Sequence, residues 1–234
     1  EEINVQQIDH LLEIGPGKGA MTSLLLEKCE SLTAIEIDKD LIRFLKKAYG
    51  DRKNFNLIEK DILLYDPKEL VRVNKLIGNI PYNISTPIIE WIIDNKSSFD
   101  EIFLMLQKEF GERCVAQPNT KSYGRLSIFV QCFFDVTVIR EVDKSSFDPS
   151  PKVQSIFLKL IPKVSDMTPN SILMKNLSTL TREAFSKRRK LITNSLKSFF
   201  TEEDLVNLGI ERKSRPENLS VETYIKLAKS IQSG

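Results

Sequence analysis

One histidine, one tryptophan and three cysteines are all that 234 residues supply of the side chains that most often carry imidazole, metal or redox chemistry. With His10 alone, placed at the start of an apolar run, an imidazole general base is disfavoured and a core-edge role is expected. Cys29, Cys114 and Cys132 lie far apart and form no C-x-x-C pair, so neither a disulfide framework nor a zinc site is indicated, and reduced thiols are expected. Metal ligands recur at no usable spacing, and no metal is expected. No run of about 18 uncharged apolar residues occurs, and the opening EEINVQQIDH lacks the basic and apolar regions of a signal peptide. The expectation is a soluble, unexported, cytoplasmic chain with no membrane association. Repeats and low-complexity segments are also missing.

What is present is a polarised charge. The whole chain carries +2, but residues 151–234 hold 15 Lys+Arg against 8 Asp+Glu, or +7, which leaves 19 against 24, or −5, for residues 1–150. An acidic part joined to a basic part suggests a catalytic unit with an anion-binding attachment, and nucleic acid is the commonest large anion. At 41% hydrophobic, the chain can bury a substantial core and suits one α/β domain with a smaller appendage.

Short apolar runs alternate with amphipathic stretches from residue 8 to about 107, the pattern of a parallel sheet flanked by helices. His10–Ile14, Leu32–Ile37, Phe55–Glu59, Lys75–Gly78 and Ile102–Gln107 read as strands, with helices over Met21–Lys28, Asp40–Tyr49 and Thr86–Asn95. Thr86 followed by Pro87 reads as a helix start. Glu109–Ala116 and Arg125–Phe133 read as helices, and Val136–Val142 and Val153–Leu160 as an antiparallel pair closing the sheet edge. After Pro162 helical spacing takes over in 170–200, 202–208 and 221–231, so the expected boundary falls at residue 164. Trp91, among Ile88, Ile92 and Ile93, reads as core.

The segment HLLEIGPGKGAMTSLLL puts Gly15, Gly17 and Gly19 between a strand and a helix, where a ligand can approach the backbone. The spacing departs from the dinucleotide pattern G-x-G-x-x-G, and Glu13 directly before it can repel a pyrophosphate, which argues against NAD. Glu36 closes the second strand, 17 residues beyond Gly19, where an acid can accept both hydroxyls of a ribose. Asp61, after the third strand, can accept from the exocyclic amine of a base. Together these describe a pocket for an adenosine cofactor without phosphates, which fits S-adenosylmethionine. Asp38 and Asp66 read instead as helix caps or turn formers.

At the end of the fourth strand stands Asn79-Ile80-Pro81-Tyr82. The Asn79 side-chain oxygen and the Ile80 carbonyl can accept the two hydrogens of an amine such as adenine N6, Pro81 stiffens the turn, and Tyr82 offers a stacking face. Here the chain resembles the ribosomal RNA adenine N6,N6-dimethyltransferase family, specifically its small-subunit (16S-type) branch, whose members modify two adjacent adenines near the 3′ end of that RNA. LLEIGPGKGAMT, AIEIDKDL, EKDIL, LIGNIPYNISTPII, LMLQKEFGERCVAQP, KSYGRLSIFVQ and FDPSPKVQS are similar to the family's blocks, in the family's order.

The resemblance implies a Rossmann-like class I methyltransferase sheet with helices on both faces and a small C-terminal helical domain. Residues 1–164 would bind S-adenosylmethionine and carry catalysis, and 165–234 would bind RNA. It implies cofactor contacts from Gly15, Gly17, Glu36, Asp61 and Asn79. Asn79 and Ile80 would hold the target amine, and Tyr82 and Phe147 would close on the two faces of an extruded adenine. Basic residues Lys187, Arg188, Arg189, Lys190, Arg212, Lys213 and Arg215 would contact RNA phosphates. The implied partner is the small ribosomal subunit and its rRNA, met by a monomer. The family begins with a glutamine-phenylalanine-leucine segment roughly 25–30 residues ahead of the glycine turn. This chain starts 14 residues before Gly15, so a truncated family member is expected. Competing expectations are a large-subunit rRNA adenine dimethyltransferase of the macrolide-resistance type, which shares the glycine turn and N-x-P-Y, and a non-catalytic rRNA-binding assembly factor. FDPSPKVQS and ERKSRPENLS favour the small-subunit branch, and the intact Asn79–Tyr82 motif argues against the factor.

Overall fold

The structure, a computed structural model, describes residues 3–69, 73–146, 153–164, 168 and 171–231. Their contacts divide the chain into two units, Glu1–Gly111 with Asp135–Pro162, and Glu112–Phe134 with Lys163–Gly234.

In the first unit β1 (His10–Ile14), α1 (Ala20–Leu26), β2 (Ser31–Glu36), α2 (Lys39–Tyr49), β3 (Phe55–Glu59), β4 (Lys75–Asn79), α3 (Ser85–Asp94) and β5 (Glu101–Gln107) follow one another. The chain then passes through α4 (Lys108–Val115), α5 (Arg125–Phe133), β6 (Phe134–Val142) and β7 (Ser155–Pro162). The seven-stranded sheet has the order β3-β2-β1-β4-β5-β7-β6. β1 to β5 pair in parallel. β7 runs antiparallel to β5, with Ile102 opposite Leu160 and Gln107 opposite Ser155. β6 lies outside β7.

The sheet's interior explains the apolar runs: Leu11, Leu12, Leu32, Ala34, Leu76, Ile77, Ile102 and Leu104 are all 1% exposed or less. β3 is an edge strand, and only Phe55, Leu57 and Ile58 along it are partly covered. From β1 the chain steps outward to β2 and β3, then returns past β1 to β4 and β5. Because parallel crossovers are right-handed, that reversal puts α1 and α2 on one face and α3 on the other. Asp38 caps α2 by accepting from the N–H groups of Asp40 and Leu41, at 2.8 and 3.1 Å. Asp66 accepts from Lys68 N–H at 2.9 Å. Both acids thus do the local work expected of them.

Helix α3 starts at Ser85, with Ile84 at the cap position and no side-chain cap. Thr86 is therefore inside the helix and not its cap. The 3-10 turn Tyr82–Ile84 runs straight into α3, which moves the start upstream, and Pro87 still falls within the first turn, where no N–H is needed. Trp91 is core as expected, 7% exposed, and its Nε1–H donates to the Tyr65 carbonyl at 2.8 Å.

The second unit contains α5, α6 (Ile172–Ser186), α7 (Ile192–Ser195), α8 (Glu202–Asn207) and α9 (Val221–Ser230). Tyr123, Phe185 and Tyr224 form an aromatic row with centroids 6.3 and 6.0 Å apart. The Tyr123 and Tyr224 hydroxyls donate to the carbonyls of Leu219 and Pro216, each at 2.9 Å. Hydropathy periodicity put a single boundary at 164, yet Glu112–Phe134 belongs with the C-terminal helices. The reason is that its Tyr123 and Asn119 find their partners at residues 217–219, about 100 residues downstream, and its Thr120 carbonyl accepts from Arg188.

Candidate active site at the carboxyl edge of the sheet

The strand order reverses between β1 and β4, and in open α/β sheets the crevice beyond such a reversal is where ligands bind. Ile14 and Gly78 are paired across these strands, so the glycine turn and Asn79 leave the sheet side by side. A Cβ on Gly15 would lie 3.7 Å from the Asn79 carbonyl oxygen, and Gly15 has φ +61. Glycine is required there by the backbone conformation, which few side chains tolerate. The Gly15 N–H still donates to Ile35 on β2 at 3.0 Å, so the turn is anchored before it bends away.

Glu36 is the last residue of β2 and 7% exposed. Its Oε1 accepts from the backbone N–H groups of Ile37 and Asp38, at 2.8 and 3.0 Å. Those two bonds orient the carboxylate, and Oε2 has no protein partner among the described residues. Asp61, past the end of β3, is built the same way. Its Oδ1 caps the 3-10 turn Ile62–Leu64 through Leu63 N–H at 2.9 Å, and its other oxygen is unengaged by the described residues.

Asn79, at the end of β4, is exposed and its side chain makes no hydrogen bond within the described residues. Ile80 is 1% exposed and its N–H donates to the Met105 carbonyl at 3.0 Å. That bond ties the motif to β5 and leaves the Ile80 carbonyl without a backbone donor among the described residues. Pro81, at φ −57 and ψ 135, leads into the turn Tyr82–Ile84. The Tyr82 side chain and the whole of Phe147 lie outside the described residues.

Glu13 is 1% exposed, and its Oε2 accepts from the Thr22 hydroxyl at 2.7 Å. Burial pushes its carboxyl up to about 7, with the Thr22 bond pulling the other way. Burial thus favours the neutral form of this core carboxyl more than in an exposed glutamate. His10 sits at the opposite end of β1, with Nδ1 2.7 Å from the Ser31 hydroxyl. The three cysteines are free and buried, and burial raises Cys114 and Cys132 to about 12 and Cys29 to about 11.

Sequence patterns did not single out Ile37 and Leu64, which are 66% and 80% exposed and follow Glu36 and Asp61. An apolar residue directly after a strand-end acid is the signal that could have found Ile37, whereas Leu64, three residues past Asp61, carries no such mark. Ile37 was hidden because it reads as the last residue of the strand.

The basic residues gather elsewhere, in the helical unit. Lys187, Arg189, Lys190 and Arg215 line a cavity of about 590 Å3 together with Leu191, Asn194 and Lys197, and no strand-end residue borders it. Its cations have no acidic partner among the described residues. Arg188 stands apart, because its Nε–H donates to Glu217 at 2.8 Å and its NH2 group to the Thr120 carbonyl at 3.1 Å. Arg212 pairs with Glu202 at 3.1 Å, and Lys213 does not line the cavity. Among the described residues no group of three or more acids, thiols or imidazoles could hold a metal ion, and no helix is long and apolar enough to cross a membrane.

A family model described as ribosomal RNA adenine dimethylase matches residues 1–233. The ribosomal RNA small subunit methyltransferase A of Coxiella burnetii is 38% identical over 229 residues, 97% of this chain and 88% of that protein. Its Legionella pneumophila namesake is 40% identical over 232 residues, 99% and 90% of the two. Among solved structures, a dimethyladenosine transferase from Plasmodium falciparum superimposes with a TM-score of 0.79 at 31% identity, covering 95% of this chain and 90% of that one. The 23S rRNA methyltransferase ErmE shares the fold, with a TM-score of 0.74 at 22% identity over 97% and 93%.

Proposed function

The chain belongs to the ribosomal RNA adenine dimethylase family, and from that premise we propose that it uses S-adenosylmethionine to dimethylate the N6 amines of two adjacent adenines near the 3′ end of small-subunit rRNA. The observation that carries the reading is the meeting of two distant motifs. Gly15, at φ +61, lies directly beside the Asn79 carbonyl at the topological reversal of the sheet.

The residues at the edge fit the cofactor. Glu36 and Asp61 each hold one carboxylate oxygen fixed and one available, suited to ribose hydroxyls and to an exocyclic amine. Ile37 and Leu64 beside them offer apolar surface to the faces of a base. When bound, S-adenosylmethionine supplies an electrophilic methyl group on a positively charged sulfur. The chain's own task is to prepare the nucleophile. Adenine N6 is a weak one, because its lone pair is delocalised into the ring. Two acceptors that draw its hydrogens out of the ring plane, the Asn79 side-chain oxygen and the Ile80 carbonyl, favour the tetrahedral nitrogen that can react. A nitrogen gaining a methyl group becomes acidic and sheds its proton to water, so no side-chain base is needed, consistent with His10 at the far end of β1. Tyr82 and Phe147 supply the stacking faces for the unstacked base.

RNA is held by Lys187, Arg189, Lys190 and Arg215, with Lys197 as a further phosphate contact, while Arg188, Arg212 and Lys213 contribute less. Residues 1–111 with 135–162 thus carry cofactor and chemistry, and the helical unit carries affinity. The substrate puts the enzyme's work in the cytoplasm. A large-subunit target is disfavoured, since ErmE shares only the fold while relatives at 38–40% identity bear the small-subunit name. The test is methylation of isolated small subunits lacking the modification, with mass mapping of the products. Two adjacent adenines gaining two methyl groups each is the expected result. Labelling confined to large subunits, or none with S-adenosylmethionine bound, would overturn the proposal.

A further inference from the structure

Tyr49 ends α2 and belongs to none of the recognised motifs, yet it is bound to the glycine turn. Its hydroxyl donates to the Gly19 carbonyl at 3.0 Å. The same oxygen accepts the Ser23 N–H, also at 3.0 Å, so the tyrosine adds a second bond at the point where the turn becomes α1. The ring is braced by Phe55 at the start of β3, edge to face with centroids 5.7 Å apart. Gly19 has φ +76, and a Cβ there would come within 2.6 Å of Tyr49 Cε2 and 3.0 Å of its Cζ. Glycine at 19 is therefore required twice, by a left-handed backbone and by the tyrosine ring packed on its Cα.

The turn is held at its other end by the Gly15 N–H on Ile35, and is closed internally by the Gly19 N–H on the Pro16 carbonyl at 2.9 Å. Between the anchors lie Gly15, Gly17 and Gly19, all at positive φ. A backbone so rich in glycine has many other conformations available. Without the second anchor it would spend part of its time in them, and ligand affinity falls by the fraction of molecules in the competent state. The segment that carries this anchor also begins next to Glu36, since α2 is capped by Asp38 and ends at Tyr49. We propose that Tyr49 is a positioning residue for the cofactor, holding the glycine turn in the conformation that S-adenosylmethionine binds. This rests on the strand-end site being the cofactor site.

Tyr49→Phe tests it, because the ring and its contact with Phe55 remain and only the hydroxyl is lost. Calorimetric titration of the chain with S-adenosylhomocysteine should show Kd raised about 3- to 10-fold, the equivalent of one hydrogen bond. In methylation assays the KM for S-adenosylmethionine should rise similarly, with kcat at saturating cofactor nearly unchanged. A merely structural hydroxyl would lower the melting temperature and leave both constants of the folded protein as they were. A parent chain that binds, with a variant that binds equally well, overturns the inference alone. A parent chain that fails to bind overturns the cofactor reading and the inference with it.

Discussion

Asn79 leaves a buried strand with an exposed side chain and no hydrogen bond among the described residues, so its amide oxygen is available to a substrate and truncating it removes little from the fold. Asn79→Ala should bind cofactor and ribosomal subunit normally while methyl transfer falls by about 100-fold or more, the usual cost of deleting a preorganised hydrogen-bonding group at the reacting atom. Single-turnover methylation beside binding titrations separates the two, and transfer at the parent rate would reassign the amine to other groups. Glu36 is the converse. Its carboxylate is held by two backbone N–H groups, and Glu36→Ala should weaken cofactor binding by about 1–3 kcal/mol as charge-assisted bonds to the ribose are lost. Unchanged calorimetric affinity would make it a structural acid. Glu13 carries a pH signature. Because burial holds its folded pKa at about 7 against an ordinary 4.5, the unfolded chain releases this proton first. Its contribution to stability is therefore intact below pH 4.5 and is lost as pH rises towards 7, by on the order of 3 kcal/mol. Glu13→Gln keeps an acceptor for Thr22, so it should raise the melting temperature at pH 8 and have little effect at pH 5. Equal shifts at both would contradict the assignment.

Between α6 and α7 the chain makes a turn, and the turn sorts four consecutive cations that look equivalent in the sequence. Lys187, Arg189 and Lys190 border the cavity with Arg215, while Arg188 is turned into Glu217 and the Thr120 carbonyl. Neutralising Lys187, Arg189, Lys190 and Arg215 together should weaken subunit binding and flatten its salt dependence by up to about 0.7–0.9 per lost phosphate contact, with cofactor affinity unchanged. Arg188→Ala should instead destabilise the helical unit, by about 0.5–1.5 kcal/mol, and leave the salt slope alone. Filter binding across a salt series and thermal unfolding tell these apart. At the amino edge of the sheet, Lys75 on β4 donates to Asp9 at 2.8 Å and to the Asn4 carbonyl at 3.1 Å, and pairs with Glu101 at 3.3 Å. Burial alone would raise the Asp9 carboxyl, but hydrogen bonds from Lys75, Gln6 and Asn74 and the charge of Lys75 outweigh it and hold it below the usual range. That contribution is full above the ordinary carboxylate pKa and is lost only in more acid solution.

On the scale of the whole molecule, the division into units makes a prediction that periodicity would not. A fragment of residues 1–164 contains Tyr123 and the rest of Glu112–Phe134 but none of Phe185, Leu219 or Tyr224, against which that segment packs. It should expose apolar surface and aggregate, seen as dye binding and loss of solubility, whereas a well-behaved monomeric fragment would refute the assignment. The strands were legible in the sequence because each central one is buried on both faces and reads as an unbroken apolar run. The glycine turn was legible because positive φ leaves a residue-level mark, and Asn79-Ile80-Pro81-Tyr82 because its chemistry sits in four adjacent positions. Pairing across long stretches left no such mark. Gly15 beside Asn79, Tyr49 on Gly19, Arg188 on Glu217 and Tyr123 on Leu219 join residues from 29 to 96 positions apart. Local periodicity and turn chemistry determined which segments became strands, helices and binding turns. Tertiary packing alone decided which of those segments met, since a contact between distant residues depends on strand order and burial, which no window of neighbouring residues contains.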